Sequence, residues 1–344
     1  MTNLGLLAAT LLVIFGFGEC ALRVAEWRAA AAQRAGQSWA VYDSELGYRP
    51  RPGFADLNSD GLRDDPIDPV KRRFRILMLG DSVAVYADSA QDTYVGRLEA
   101  QLATDRSLAP VEVINAGVRG YTNYQELVYL QKYGIAFQPD LVGVGFVLND
   151  LHRILHRFEV ENGEIVGQEY AFADEAIGTV ESPLYRLARK SHLLVELRGR
   201  LGVFDRLIDL YASKGFAFDY RPDFSNAWRD EPWSAVEQQL ATMVELGAER
   251  GFRVFLVAFP FGEQLRPDHL ARDRAYVTRP QQRLGEIAAR LGIPCLDLFS
   301  ALDRERDLDP DQIHLTRHGR GVAADAIARF LKERGLVPAR RDLS

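Results

Sequence analysis

From Phe74 to Leu298, five short apolar runs rich in β-branched residues alternate with longer segments whose apolar positions recur at helical spacing. The runs are Phe74–Leu79, Val111–Asn115, Leu141–Val147, Arg253–Phe259 and Pro294–Leu298. The helical segments are Tyr94–Thr104, Tyr121–Phe137, Ser234–Arg250, Pro280–Leu291 and, beyond the last run, Arg317–Arg334. Near-continuous apolar strands separated by helices predict a parallel sheet covered on both faces. The interval Leu151–Trp233 breaks the rhythm. It is expected to hold one helix, Leu184–Leu210, between irregular stretches, and an insertion at the end of a strand suits a cap or lid. Upstream, the alanine-rich stretch Ala21–Gln33 reads as helix. Tyr42–Val70, rich in Pro, Gly, Asp and Arg, reads as a loop-like linker folding onto the main domain.

The first residues carry a different pattern. Leu4–Gly18 is an uncharged apolar run, short of the roughly 20 residues of a full span. It lacks the positive n-region and small-x-small site of a cleaved leader, and Glu19 before Cys20 does not suit a lipoprotein site. An uncleaved membrane anchor is expected, against a buried or interfacial helix as the alternative. The anchor is expected to leave the main domain outside the cytoplasm. The positive-inside rule, applied to Arg23, Arg28 and Arg34, points the other way, so both orientations stay open.

Composition adds exclusions. At 344 residues, 47% hydrophobic and 26% charged, the chain is long enough for one large domain with an insertion. The net charge of −6, with no lysine-rich run, gives no basic footprint for nucleic acid. Cys20 and Cys295 form no CxxC pair and imply no disulfide framework. His152 and His156 would share a helix face, but no third ligand stands at a recognisable spacing, so no metal site is expected.

Four loops at the ends of predicted strands carry candidate chemistry. The first strand leads into Gly80-Asp81-Ser82, where a serine at the sheet edge sits where open α/β sheets bind ligands. Ala84 fills the last position of a GxSxG elbow, so this is not the ordinary α/β-hydrolase arrangement. Taken alone, the segment is equally a turn with Ser82 as a helix cap. After the second strand, Asn115-Ala116-Gly117-Val118-Arg119-Gly120-Tyr121-Thr122 places two glycines where backbone N–H groups could hold an oxyanion. After the third strand, Asn149 of Leu148-Asn149-Asp150 could supply an amide donor, or simply start a turn. After the fifth, Asp311 precedes His314 by three residues, a spacing that lets a carboxylate fix the imidazole tautomer and leave the other nitrogen to take a serine proton. Asp297 is a rival partner for His314, but Asp311 is closer in sequence and is preferred; His318 lacks a carboxylate at the matching spacing, and Asp81 and Asp150 read as structural or pocket-shaping groups. Nucleophile, base, orienting acid and oxyanion donors on one sheet edge make the constellation that acyl transfer requires.

In this order the four blocks resemble the SGNH/GDSL hydrolase family over roughly residues 74–333, apart from the insertion. The resemblance implies a flavodoxin-like three-layer α/β/α sandwich with a central parallel sheet. It implies ester hydrolysis through an acyl-enzyme on Ser82, with His314 and Asp311 completing the triad. The oxyanion hole would be the backbone N–H groups of Ser82 and Gly120 with the Asn149 side chain, and no cofactor or metal would be needed. Two departures stand out: Val83-Ala84 where the first block usually has x-(Thr/Ser), and Val147-Leu148 where a glycine usually shortly precedes Asn-Asp. The segment Tyr42–Asp64 also resembles the lead-in of membrane-anchored bacterial members. A small-molecule or carbohydrate acyl ester, or a lipid ester, is the expected substrate. An O-acyltransferase acting on a cell-surface polysaccharide through the same site, or a non-catalytic membrane-tethered binding protein, are the alternatives. The expected organisation is an anchor over residues 1–35, a lead-in over 36–73, the hydrolase domain over 74–338 with its insertion at about 151–233, and a tail over 339–344.

Overall fold

The computed structural model describes residues 5, 10, 13–25, 38–161, 163–170, 191, 193, 215–221 and 223–340. The chain divides into two compact units, residues 1–38 with 158–222, and residues 39–157 with 223–344.

The larger unit opens with a hairpin where a loop had been expected. Strands β1 (Ala40–Asp43) and β2 (Gly47–Pro50) pair antiparallel. The Asp43 carboxylate accepts the amides of Glu45 and Leu46 at 2.9 and 3.0 Å and so builds the turn. Leu46 and Tyr48 are buried, which gives the hairpin an anchor that its turn-rich composition concealed.

The central sheet consists of β3 (Phe74–Gly80), β4 (Val111–Asn115), β5 (Leu141–Phe146), β8 (Arg253–Ala258) and β9 (Cys295–Asp297). Two further strands, β6 (His156–Glu161) and β7 (Glu164–Tyr170), are hydrogen-bonded neighbours away from this sheet. All pairings in the central sheet are parallel and its order is β4-β3-β5-β8-β9. Counted within this sheet the order is second, first, third, fourth, fifth, the flavodoxin-like winding, whose switch point lies between the first and third strands. The five strands fall where the apolar runs predicted. Ile76, Leu77, Met78 and Leu79 are fully buried, and each such side chain contributes about 1.5–3 kcal/mol of hydrophobic stabilisation.

Helices cover both faces. In chain order they are α1 (Ser82–Val85), α2 (Tyr94–Thr104), α3 (Asn123–Lys132), α4 (Glu231–Arg250), α5 (Pro267–Val277), α6 (Arg279–Leu291), α7 (Arg304–Asp307) and α8 (Arg317–Glu333). α2 packs against α8, while α3 and α6 pack against α4, giving one layer on each side. The predicted helix over Tyr121–Phe137 is shorter than expected: it ends at Lys132, and a 3₁₀ turn follows over Gly134–Phe137. α5 escaped the sequence reading because its segment, PDHLARDRAYV, is too polar to show a strong apolar stripe.

In the smaller unit a helix covers residues 13–25. Among the described residues no helix is long and apolar enough to cross a membrane. All but residues 191 and 193 of the expected helix Leu184–Leu210, the end of the alanine-rich stretch beyond residue 25, and most of the insertion lie outside the described residues.

Candidate active site

The loops after β3, β4, β5 and β9 meet at the carboxyl edge of the sheet. After β3, Asp81 caps α1 by accepting the Val83 amide at 2.8 Å. Asp81, not Ser82, therefore serves as the helix cap, and Ser82 opens the helix with its hydroxyl free for other work. Asn115, the last residue of β4, braces this turn: its amide donates to the Ala84 carbonyl at 2.9 Å and its oxygen accepts the Gly117 amide at 3.1 Å. Gly117 has to be glycine, because a Cβ would sit 2.5 Å from that of Ala84. The Val118 amide donates to the Gly80 carbonyl at 3.0 Å, tying the second loop to the first.

Gly120 follows with φ +71°, a left-handed conformation that favours glycine. A Cβ there would meet the His156 ring at 2.7 Å. The Tyr48 hydroxyl donates to the neighbouring Arg119 carbonyl, and the Tyr121 hydroxyl to the Tyr48 carbonyl at 2.7 Å, so the hairpin pins this loop.

After β5, Asp150 accepts the Val147 amide at 2.8 Å and stabilises the turn Leu148–Leu151, which carries Asn149. The Asn149 amide lies 3.3 Å from Asp81 Oδ2.

In the loop before α8, one Asp311 oxygen accepts the amides of Ile313 and His314 at 2.9 and 3.0 Å. Its other oxygen lies 2.6 Å from His314 Nδ1. Burial raises the Asp311 carboxyl, but the bonds from the His314 ring and the two amides outweigh it and bring its pKa down to about 2. An ionised carboxylate only accepts, so the proton of this bond belongs to Nδ1, and a neutral His314 presents Nε2 as an acceptor. Nε2 lies 2.9 Å from Ser82 Oγ. Thr316 then caps α8 through the Gly319 amide at 3.1 Å.

The structure thus joins Ser82, His314 and Asp311 in one hydrogen-bonded chain, with Asn149 one contact away through Asp81. Gly120 lies in the loop bonded to the end of β3. The rival Asp297 accepts the Phe299 amide at 2.9 Å, and His318 pairs with the buried Asp307 at 2.6 Å. His152 faces the Asn226 amide. Among the described residues no group of three or more His, Cys, Asp or Glu could hold a metal.

Sequence reasoning missed the surroundings. Burial raises the carboxyl of Asp81 above its ordinary range, against the pull of the Val83 amide, Asn149 and His314. Burial, with the charge of Asp81, pushes Glu126 well up, and burial with the charges of Glu126 and Asp81 does the same to Asp150. Both Glu126 oxygens and the Tyr94 hydroxyl are buried without a hydrogen-bond partner. Tyr86, one helical turn after Ser82, carries no motif that marks it in the sequence.

The chain belongs to the GDSL-like lipase/acylhydrolase family, whose model matches residues 78–322. It is therefore a hydrolase of the SGNH/GDSL type, and the three-layer arrangement of helices about a parallel sheet is that of the family. Among curated proteins none matches it. Among solved structures it is similar to TesA at 16% identity, over 75% of this chain and 98% of that one, with a TM-score of 0.44. It is similar to the lipase/acylhydrolase from Enterococcus faecalis at 19% identity, over 76% and 96%, with a TM-score of 0.44. A catalytic mutant of Axe2, an acetylxylan esterase from Geobacillus stearothermophilus, aligns at 16% identity over 75% and 93%, again with a TM-score of 0.44.

Proposed function

We propose that this chain is a serine esterase that cleaves an O-acyl ester through an acyl-enzyme on Ser82. The supporting observation is the unbroken chain Asp311–His314–Ser82, with contacts of 2.6 and 2.9 Å. Ser82 Oγ attacks the ester carbonyl while its proton passes to His314 Nε2. The carbonyl electron pair moves to oxygen, where the N–H groups of Ser82 and Gly120 and the Asn149 amide receive it. His314 returns the proton to the departing alcohol, and water activated by His314 then hydrolyses the acyl group from Ser82. Side chains and backbone carry every step.

The Asp311 side chain is 43% exposed, so among the described residues the outer end of the triad reaches solvent at the sheet edge. An open edge suits an acyl group, such as acetyl, on a bulky carbohydrate or lipid alcohol. The test is turnover of p-nitrophenyl acetate by the parent and by Ser82→Ala. Activity lost in the variant, with labelling of Ser82 by a fluorophosphonate, is the expected result; equal turnover by both would overturn the reading. Acyl transfer to an added sugar in preference to water would reassign the chain as an acyltransferase.

We also propose that the N-terminal helix holds the protein at a membrane, with the hydrolase domain outside the cytoplasm. Val13, Ile14 and Phe17 of the 13–25 helix are exposed, an unusual concentration of apolar surface. Co-sedimentation with phospholipid vesicles, abolished by Ile14→Asp with Phe17→Asp, is expected. Unchanged sedimentation of the double variant would refute the anchor, and protease accessibility in sealed cells reports the orientation.

A further inference from the structure

Two side chains outside the four motifs bear on His314. Tyr86 closes the one-turn helix that Ser82 opens, and its ring stacks on the imidazole with centroids 4.3 Å apart and planes 28° apart. Its backbone is held from both sides. The N–H donates to the Ser82 carbonyl at 2.8 Å, and the carbonyl accepts from Arg320 Nη1 at 3.4 Å. Arg320, buried in the first turn of α8, also donates from Nη1 to the carbonyl of Leu315, the residue after His314, at 3.0 Å. Its other terminal nitrogen meets Asp92 at 3.2 Å, a carboxylate that also pairs with Arg97 at 2.6 Å. One guanidinium therefore joins the segment that carries Ser82 to the segment that carries His314.

We propose that Tyr86, fixed in place by Arg320, is a positioning residue that aims the His314 ring at Ser82 and stabilises the imidazolium formed during attack. The inference rests on the esterase reading of Ser82 and His314. In that step the Ser82 O–H bond breaks and its proton passes to Nε2. Oγ bonds to the acyl carbon, and the carbonyl π pair moves to its oxygen. The imidazole, neutral before, gains a positive charge. Asp311 meets that charge at the Nδ1 edge, and the face of Tyr86 meets it from one side of the ring. An aromatic face attracts a cation through its quadrupole, and does so more strongly than it attracts the neutral ring. An interaction that strengthens on the way to the transition state accelerates the chemical step instead of tightening substrate binding.

The test compares the full-length parent with Tyr86→Phe, Tyr86→Leu and Arg320→Lys on p-nitrophenyl acetate. The Tyr86 side chain is 43% exposed as a residue, so its replacement opens no core cavity. Tyr86→Leu is expected to lower kcat about three- to thirty-fold with KM nearly unchanged. Tyr86→Phe, which keeps the ring, is expected to restore most of the rate. Arg320→Lys, which keeps the charge but loses the planar guanidinium that holds both carbonyls through Nη1 and Asp92 through Nη2, is expected to lower kcat with KM unchanged. The His314 ring C–H resonances of the parent should lie upfield of those in Tyr86→Leu, because they sit under an aromatic face. A Leu variant with parental kcat, a rise in KM at constant kcat, or the absence of the ring-current difference would overturn the proposal. A parent that turns over no ester overturns the esterase reading together with this one, whereas an active parent with any of those three results overturns only this one.

Discussion

Asn149 donates its side-chain amide to the carboxylate of Asp81, 3.3 Å away, so the residue before Ser82 orients the side chain proposed to hold the oxyanion. An amide nitrogen carries two hydrogens, and using one on Asp81 leaves the other to point at the reacting carbonyl. Asn149→Ala is expected to lower kcat about 10²–10³-fold with little change in KM, the loss typical of one oxyanion donor. Steady-state kinetics on p-nitrophenyl acetate measure this, and a change confined to KM would place Asn149 outside the oxyanion hole.

The Asp311 carboxyl, brought down to about 2, stays ionised across the working range of an esterase. Asp311→Asn keeps the shape of the loop but no longer favours the tautomer with the proton on Nδ1. A fall in kcat of about 10³–10⁴-fold is expected. The pH–rate profile of the parent should show no limb attributable to Asp311 above pH 4. A variant that retains a tenth of parental activity would argue that another group orients His314.

Gly120→Ala should fail in two ways. The φ of +71° is strained for alanine, and the added methyl would sit 2.7 Å from the His156 ring. The conformational part alone costs about 1–2 kcal/mol. A lower melting temperature together with an oxyanion N–H displaced from its place, and so a lower kcat, is expected, read by thermal unfolding and by steady-state kinetics. An alanine variant with parental stability and rate would show that the backbone here is free to adjust.

The buried acids predict a stability that declines with rising pH. The Asp64 carboxyl is raised to about 7, by burial first and by the charges of Glu99 and Asp65, against the pull of the Asn115 and Asp65 amides. Its folded-state value lies above its unfolded one of about 3.9. The folded state therefore holds the proton more tightly, and stability falls as pH rises from about 4 to about 7, then levels. The difference corresponds to at most about 4 kcal/mol. Glu126 and Asp150 act in the same direction. Asp64→Asn, whose side-chain oxygen can still accept the Asn115 amide, is expected to flatten the dependence. Melting temperatures at pH 5 and pH 8 decide the matter, and a parent more stable at pH 8 would contradict it.

The sequence by itself determined the five sheet strands and most of the helices around them, because each buried strand is a continuous apolar run and each helix carries a 3.6-residue stripe. Val111–Asn115 and Tyr94–Thr104 fall where the pattern put them. It also put forward Ser82, Gly120, Asn149, Asp311 and His314 as candidate site residues, since parallel strands share one carboxyl edge and the residues that follow them converge there. The hairpin at Ala40–Pro50 was hidden, because turn residues masked two short strands held by a buried tyrosine and leucine. Helix α5 was hidden because it is mostly polar.

The spacing favoured Asp311 over Asp297 as the partner of His314, but only the tertiary structure sets the 2.6 Å contact with Nδ1 and turns Asp297, the last residue of β9, to the Phe299 amide instead. It decided that Asp81, rather than Ser82, caps α1, because the cap depends on which oxygen points at the Val83 amide. Tyr86, Arg320 and the partnerless Glu126 owe their surroundings to segments far apart in the chain. Long-range packing sets burial and charge at those positions, and no spacing rule along a single segment encodes it.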